Sequence, residues 1–537
     1  MNALIIVFIS GVLFYAGFVF YARRLEELWQ IDPKRPTPAF TKYDGVDYVP
    51  AKKWLVLFGH HFASIAGAGP IIGPVIATVL WGWGPPLIWI VLGTIFIGGV
   101  HDFGALITSV REGGSSIARI CESTISKRTK IIFSWFLFLS LVLVVAVFAY
   151  FCSQTFIEEP KVVLPSLGLV PVAILLGLLL YRFKFNPVLA TIIGLLCLSV
   201  LIIGGNFLPI SLGKHAFSIW LAILFIYSYF ASIAPVNILL QPRDYLSSFL
   251  LFFGMILGYI GLVTQPVLIH IPFYRHWSSA EGSLWPLMFV IVACGAISGF
   301  HSLIATGTSS KQIANERHSK RIGYGAMVVE GLLAVLALIA ACVVIKGVQN
   351  PAVILKEIGP IAFFAQGYGK ITDVLLGGLG SFVAITILNA FILTTLDSAT
   401  RIGRYIFEEL FPAIKNRFIS SFIVVGLSAG LAFSGGWNKI WVVFGSANQL
   451  VAALTLLVLA SWLLARNKRI GLILIPVIFM LTTSLAALVW QGVKCFRQQN
   501  ILLFIITALL FILAVFMVRE IIVWRRSSLF KNTVVPQ

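Results

Sequence analysis

Apolar runs long enough to cross a hydrocarbon core recur along almost the whole of this chain, and that recurrence leaves few folds open. Fifteen such runs fall near 3–22, 54–81, 86–109, 131–152, 166–181, 186–204, 216–236, 246–267, 285–304, 323–345, 374–396, 418–435, 440–465, 470–492 and 500–518. A core of about 30 Å takes roughly 20 helical residues to span. Charged residues are 11% of the 537, against about 25% in soluble domains. The expectation is an all-α polytopic membrane protein with about 15 transmembrane helices. The first run has neither a basic leader nor a small-residue cleavage site, so it reads as a retained helix rather than a signal peptide.

The formal net charge of +19 would suit a nucleic-acid partner, but its placement assigns it to topology. With the amino terminus outside (periplasmic) and the carboxyl terminus in the cytoplasm, 30 of the 39 Lys and Arg fall in inner segments and 9 in outer ones. Cytoplasmic loops keep such an excess. The expected surroundings are therefore the lipid bilayer, with no nucleic acid. Six scattered cysteines without a C-x-x-C indicate neither a disulfide framework nor a cysteine zinc site. The chain divides into a first helix with a proline-rich inner strap (1–53), a core (54–465), and accessory helices with a short cytoplasmic tail (466–537).

Within this pattern the segment "GHHFASIAGAGPIIGP" (59–74) stands out, with two histidines, four glycines and two prolines inside an apolar run. Non-helical backbone survives at membrane depth only where protein buries it or it lines a cavity. The spacing predicts a break at Gly67–Pro70 and a half-helix from about Ile71. Free N–H groups and the positive dipole end there would suit a carboxylate. Gly67, Gly69 and Ile71 are thus candidate solute contacts, with Asn389, Asn448 and Gln449 as neutral hydrogen-bonding groups. Their ordinary alternative is close helix packing and interhelical polar contact.

Intramembrane ionisable groups mark substrate or proton pathways, and imidazole exchanges protons near neutrality. His60 and His61 lie roughly 9 Å into the second span, and His101, Asp102, His301 and Asp397 also fall in inner halves. These six form the candidate proton relay, with Glu330 a further carrier. Adjacent helical residues point about 100° apart, so His60 and His61 serve different sites. The plain alternative is that each His bonds a backbone carbonyl. His61, His101, Asp102 and His301 would hold Zn²⁺ if they converged tetrahedrally; otherwise no cofactor is expected. Arg243–Asp244 and Lys311–Gln312, at inner helix ends, read as topology and gate contacts.

The stretches "HFASIAGAG" from His61 and "HSLIATGTS" from His301 are weakly alike and run in opposite directions, as an inverted repeat would. By count from the second span, "APVNILLQPRD" in the seventh is the competing mirror. Both stay open at this level.

Taken together, "GHHFASIAGAGPIIGP", "LLQPRDYLSSF", "CGAISGFHSL" with "GTSSKQ", "IGYGAMVVEG", "TTLDSATR" and "FGSANQL" resemble the carbon starvation protein A family, in the family's order across about 30–460. The resemblance implies a bacterial inner-membrane transporter of the amino acid–polyamine–organocation superfamily. It implies a LeuT-like core of two inverted five-helix repeats with discontinuous helices. It further implies uptake of small peptides in response to carbon starvation, or pyruvate/proton symport as in some members. The chain looks like a shorter member, missing helices toward its carboxyl end. No Walker motif is present, so the expected mechanism is secondary active and proton-coupled, carrying a small carboxylate-bearing solute, and not enzymatic. An intramembrane metalloenzyme, which would lack the usual H-E-x-x-H, and a nutrient sensor are the alternatives from other classes.

Overall fold

In the computed structural model the described residues are 1–533 except 266, 280, 346–349, 435 and 436, and the side chains of 437–442 and 527–533 are also outside the description. Lys346 and the side chains of Lys439 and Lys531, part of the charge count, therefore lie outside it, as does the end of the expected tail. In chain order the principal helices are α1 (Ala3–Trp29), α2 (Trp54–Ile65), α3 (Gly69–Trp81), α4 (Gly84–Arg111), α5 (Lys127–Glu158) and α6 (Pro160–Arg182). There follow α7 (Pro187–Phe207), α8 (Gly213–Ile233), α9 (Leu240–Thr264), α10 (Gly299–Gly307), α11 (Gly325–Ile345) and α12 (Pro351–Ile371). The last are α13 (Gly380–Leu410), α14 (Arg417–Phe433), α15 (Val443–Leu464), α16 (Gly471–Arg497) and α17 (Ile501–Arg526).

Among the described residues, 12 helices are long and apolar enough to cross a membrane, or 13 if α2 and α3, bent by 43°, are one span. The expected count of about 15 differs at the ninth and twelfth runs. The ninth breaks up: a π turn at Leu284–Met288 and a single turn at Phe289–Ile291 lead into non-helical backbone before α10. Gly295 there has φ +90°, a conformation open to glycine and strained for other residues. The twelfth run, α14, has only 17 residues. Conversely, α12 was not anticipated, because Lys356, Glu357 and Lys370 interrupt its apolar pattern. It bends at Gly359, φ +76°, just before Pro360.

The two breaks meet. A Cβ on Gly69 would stand 2.4 Å from Cys294 Cβ, and one on Gly73 would stand 2.3 Å from the Ile291 carbonyl oxygen. Gly295 in turn lies against Pro70. Only hydrogen at these positions lets the backbones approach so closely. The segment that meets the second-span break is thus the ninth span. The "APVNILLQPRD" stretch is instead the turn between α8 and α9, with α9 starting at Leu240. Around the crossing α2 packs on α9, α3 on α11, and α10 on both α4 and α15, while α5 runs along α13.

The end of the bundle that carries Arg111, Arg404, Lys415 and Arg466 is called here the basic face. Residues 31–53 lie across it with one short helix, Pro38–Thr41. Lys42 Nζ donates to the Gly113 carbonyl (2.8 Å), Ala51 N–H to Gln312 (2.9 Å), and Val236 N–H to Val46 (3.1 Å). Glu316, fully buried, receives Arg111 (3.2 Å) and Arg35 (3.3 Å). Asp47 meets Arg401 at 3.2 Å, Arg404 at 3.9 Å and the Tyr405 hydroxyl at 2.5 Å. Burial alone would raise the Asp47 carboxyl. The charges of Lys311, Arg401 and Arg404 and the Tyr405 hydrogen bond outweigh it and hold the group below the usual carboxylate range.

Two expectations follow. Gly73→Ala forces the Ile291 carbonyl and α3 apart, so transport is lost and thermal unfolding in detergent moves down by several degrees; an unchanged protein would refute the close crossing. A depressed folded pKa at Asp47 gives stabilisation that is complete above the unfolded value of about 3.9 and lost as pH falls through the folded value. Protease cleavage of the 31–53 strap is therefore flat from neutral pH down to about 4 and rises below it, whereas in Asp47→Asn it is high throughout.

Candidate functional site

Four titratable side chains from three helices form one buried chain. His101 and Asp102 are consecutive on α4, and His101 Nδ1 lies 2.7 Å from Asp102 Oδ1. The other oxygen, Oδ2, lies 2.9 Å from His301 Nδ1 of α10. On the far side of that ring, His301 Nε2 is 3.2 Å from Glu330 Oε2 of α11, an ion-pair distance not aligned as a hydrogen bond. Glu330 Oε1 accepts the N–H of Gly295 at 3.1 Å. All four side chains have no exposure.

An ionised Asp102 only accepts, so both imidazoles turn an Nδ1–H toward it. His301 Nε2 and Glu330 Oε2 then face each other, and a proton held by the pair can rest on either group. The pair is an imidazolium with a carboxylate, or a neutral imidazole with a carboxylic acid. The chain therefore ends on the backbone of the ninth-span break, one hydrogen bond from the crossing.

The histidines of α2 serve other partners, as their 100° offset requires. His61 Nδ1 lies 2.8 Å from Ser309 Oγ. His60 Nδ1 lies 2.6 Å from Asp244 Oδ2, which also accepts from Ser64 Oγ at 3.2 Å. Arg243 and Asp244, neighbours on α9, reach in two directions. Asp244 binds α2, while Arg243 is paired with Asp397 of α13 and donates to the Tyr227 hydroxyl at 2.8 Å. Tyr227 donates to Asp397 Oδ2 at 2.6 Å. Ser64 Oγ and Ser398 Oγ, 3.3 Å apart, link α2 directly to α13.

The six candidate relay residues thus divide between networks. His101, Asp102 and His301 belong to the first, His60 and Asp397 to the second, and His61 stands with Ser309. Arg243 and Asp244 lie at the start of α9, as expected, and are fully buried. Asp244 is the partner of His60 that sequence reading missed, although "QPRD" inside an apolar surround carried the signal. The zinc set does not assemble. Asp102 joins His101 to His301, but His61 turns to Ser309, and among the described residues no group of three or more His, Cys, Asp or Glu is arranged to hold a metal.

Of the candidate solute contacts, Gly67, Gly69, Ile71 and Asn448 lie at or beside the crossing, and the side chains of Asn448, Asn389 and Gln449 have protein partners. The half-helix α3 starts at Gly69 rather than Ile71. Asn448 Oδ1 accepts the Phe300 N–H at 2.8 Å and its Nδ2 donates to Ser298 Oγ at 2.8 Å, so it caps α10 from α15. Asn389 donates to Ser166 Oγ (2.5 Å) and accepts from Thr155 Oγ1 (2.7 Å), joining α13 to α5 and α6 away from the breaks. Gln449 turns toward α16, with Nε2 near the Phe289 carbonyl and Met480 Sδ. The space between Gly69, Cys294, Phe444 and Asn448 is about 20 Å³, about the room that one water needs. The crossing is closed, and a solute enters it only when the helices part.

A membrane bundle in which two broken helices cross beside buried titratable chains defines the carrier class of LeuT-type fold. The crystal structure of MhsT in complex with L-phenylalanine shares that fold, with a TM-score of 0.53 and 15% identity over 82% of this chain and 99% of that one. The family model for carbon starvation protein CstA matches residues 2–350 and 346–487, and this chain belongs to that family. Among its relatives is a Campylobacter jejuni protein named peptide transporter CstA, 30% identical over 90% of this chain and 78% of that one. Another is an Escherichia coli protein named pyruvate/proton symporter BtsT, 29% identical over 93% of this chain and 82% of that one.

Removing one partner of a buried ion pair typically costs about 3–5 kcal/mol, whereas apolar replacement of both is often near neutral. Arg243→Ala is therefore expected to lower thermal stability sharply in detergent, and Arg243→Met with Asp397→Leu to restore most of it. A double variant as unstable as the single one would show that the pair does not carry this cost.

Proposed function

We propose that this chain is a proton-coupled importer of small peptides in the bacterial inner membrane, used during carbon starvation. The observation that carries this reading is the His101–Asp102–His301–Glu330 chain ending on the Gly295 N–H. A change of protonation at His301 and Glu330 alters the group that holds the break. The solute carboxylate would meet the first N–H groups of α3 at the crossing, and rocking of the helices around it would release both proton and solute to the basic face. The charge asymmetry supports a cytoplasmic position for that face, with the amino terminus outside and the carboxyl terminus inside, and in this reading 54–465 is the transporting core. A second reading, symport of pyruvate with a proton, is favoured by the small size of the space at the crossing, lined by Gly69, Ile291, Cys294, Phe444 and Asn448 among others, and by a relative of nearly equal identity that carries that name.

Uptake of labelled dialanine and of pyruvate into proteoliposomes, with and without an inward proton gradient, tests the reading. One of the two solutes accumulates and the gradient stimulates it at least tenfold. In Glu330→Gln, which keeps the shape but cannot ionise, exchange of solute across the membrane persists while stimulation by the gradient is lost. Stimulation that survives in both Glu330→Gln and His301→Gln would remove this chain from the coupling.

A further inference from the structure

At the basic face a second cavity, of about 400 Å³, lies between the strap, the loop after α4 and the end of α13. Its size is that of small-molecule sites, which run about 300–1,000 Å³. One wall is apolar (Leu303, Ile402), and Ser115 and Thr306 add hydroxyls.

The acidic groups around it are taken. Asp47 faces Arg401 and Arg404, Glu408 pairs with Arg404 at 3.4 Å, and Glu409 pairs with Arg119 at 3.2 Å while accepting from Ser116 at 2.8 Å. Among the described residues two lining cations make no contact ion pair, Lys415 at the exposed mouth and Lys311 within, whose charge acts on Asp47 and Glu409 from a distance. Lys311 Nζ rests 4.0 Å from the centre of the Tyr405 ring and 5.4 Å from that of Tyr48. Among the described residues it has no carboxylate within ion-pair distance and no hydrogen-bond acceptor. An ammonium carries three N–H donors, and two ring faces leave at least one of them for the cavity.

Position gives this charge a use. The helix α10 begins at the crossing, where Asn448 holds Phe300 N–H, and its Thr306 and Gly307 line the cavity. The distance along α10 is about 10 Å. Lys311, four residues past the end of α10, thus stands on the basic side of the crossing.

We propose that this cavity is a carboxylate site on the basic side of the crossing, where Lys311, backed by Lys415, holds the carboxylate of the transported solute before release. The identity of the solute rests on the function proposed above; the carboxylate site itself does not. The two tyrosine faces orient the ammonium, which burial disfavours and the carboxylates of Asp47 and Glu409 favour, while the Leu303–Ile402 wall takes the apolar part of a short peptide or keto acid.

Labelling of Lys311 by an amine-reactive reagent, read by mass spectrometry on the whole purified protein, tests the site without requiring transport. Pyruvate and dialanine at millimolar concentration slow the labelling several-fold, and the neutral propionamide does not. Absence of protection by both carboxylates overturns the proposal whatever the uptake result. Equal protection by inorganic phosphate overturns the carboxylate assignment in favour of a general anion site. Protection without uptake of either solute leaves the site standing and sinks the function proposed above. In transport, Lys311→Gln raises the half-saturating concentration about tenfold when solute is supplied to the basic face of inside-out vesicles. It leaves the value from the opposite face unchanged, and Lys311→Arg keeps most of the affinity. Lys415→Gln, at an exposed position that folding tolerates, raises the basic-face value two- to threefold. An unchanged basic-face value in both Gln variants, or an equal rise from the two faces, refutes the site.

Discussion

The contact between Gly73 and the Ile291 carbonyl sets the distance between two interrupted helices, and the remaining polar architecture is arranged around that distance. Backbone exposed by a helix break has no water to bind at membrane depth, so the partner for each orphaned group must be protein. Glu330 provides one for Gly295, and Asn448 provides one for Phe300. Both partners come from neighbouring helices. The breaks are therefore held open from outside, by groups that a shift of α11 or α15 would withdraw.

Charge in the core follows the same economy. Every buried carboxylate at the centre faces a base on another helix: Asp102 faces His301, Glu330 faces His301 from α11, Asp244 faces His60, and Asp397 faces Arg243. The pairing keeps each helix in register with its neighbour and keeps uncompensated charge out of hydrocarbon. It also separates labour. The first network ends on the ninth-span break, whereas the second binds α2 to α9 and α13 below the second-span break.

Much of this was legible in the chain because lipid imposes strong rules. Apolar length, the Gly–Pro interruption at 67–70 and the placement of Lys and Arg needed no tertiary information. The ninth-span break was only half visible, since "CGAISGF" reads as flexible helix until Gly295 is seen at φ +90°. The hidden helix α12 escaped because its charges mimic a loop. Partnerships were the least legible: His60 with Asp244 spans 184 residues, and Asn389 bonds α5 and α6 on a face that sequence spacing does not define. Residue type announced that buried polar chemistry was present, while only the packing of helices decided who shares it.

The divergence of His60 and His61 has a kinetic meaning. One rigid half-helix carries two grips, on Asp244 and on Ser309, aimed about 100° apart. A tilt of α2 that frees one ring moves the other by the same rotation. Half-released arrangements demand a bend inside α2 itself. Two consecutive imidazoles thus tie the movement of this half-helix to two partners at once.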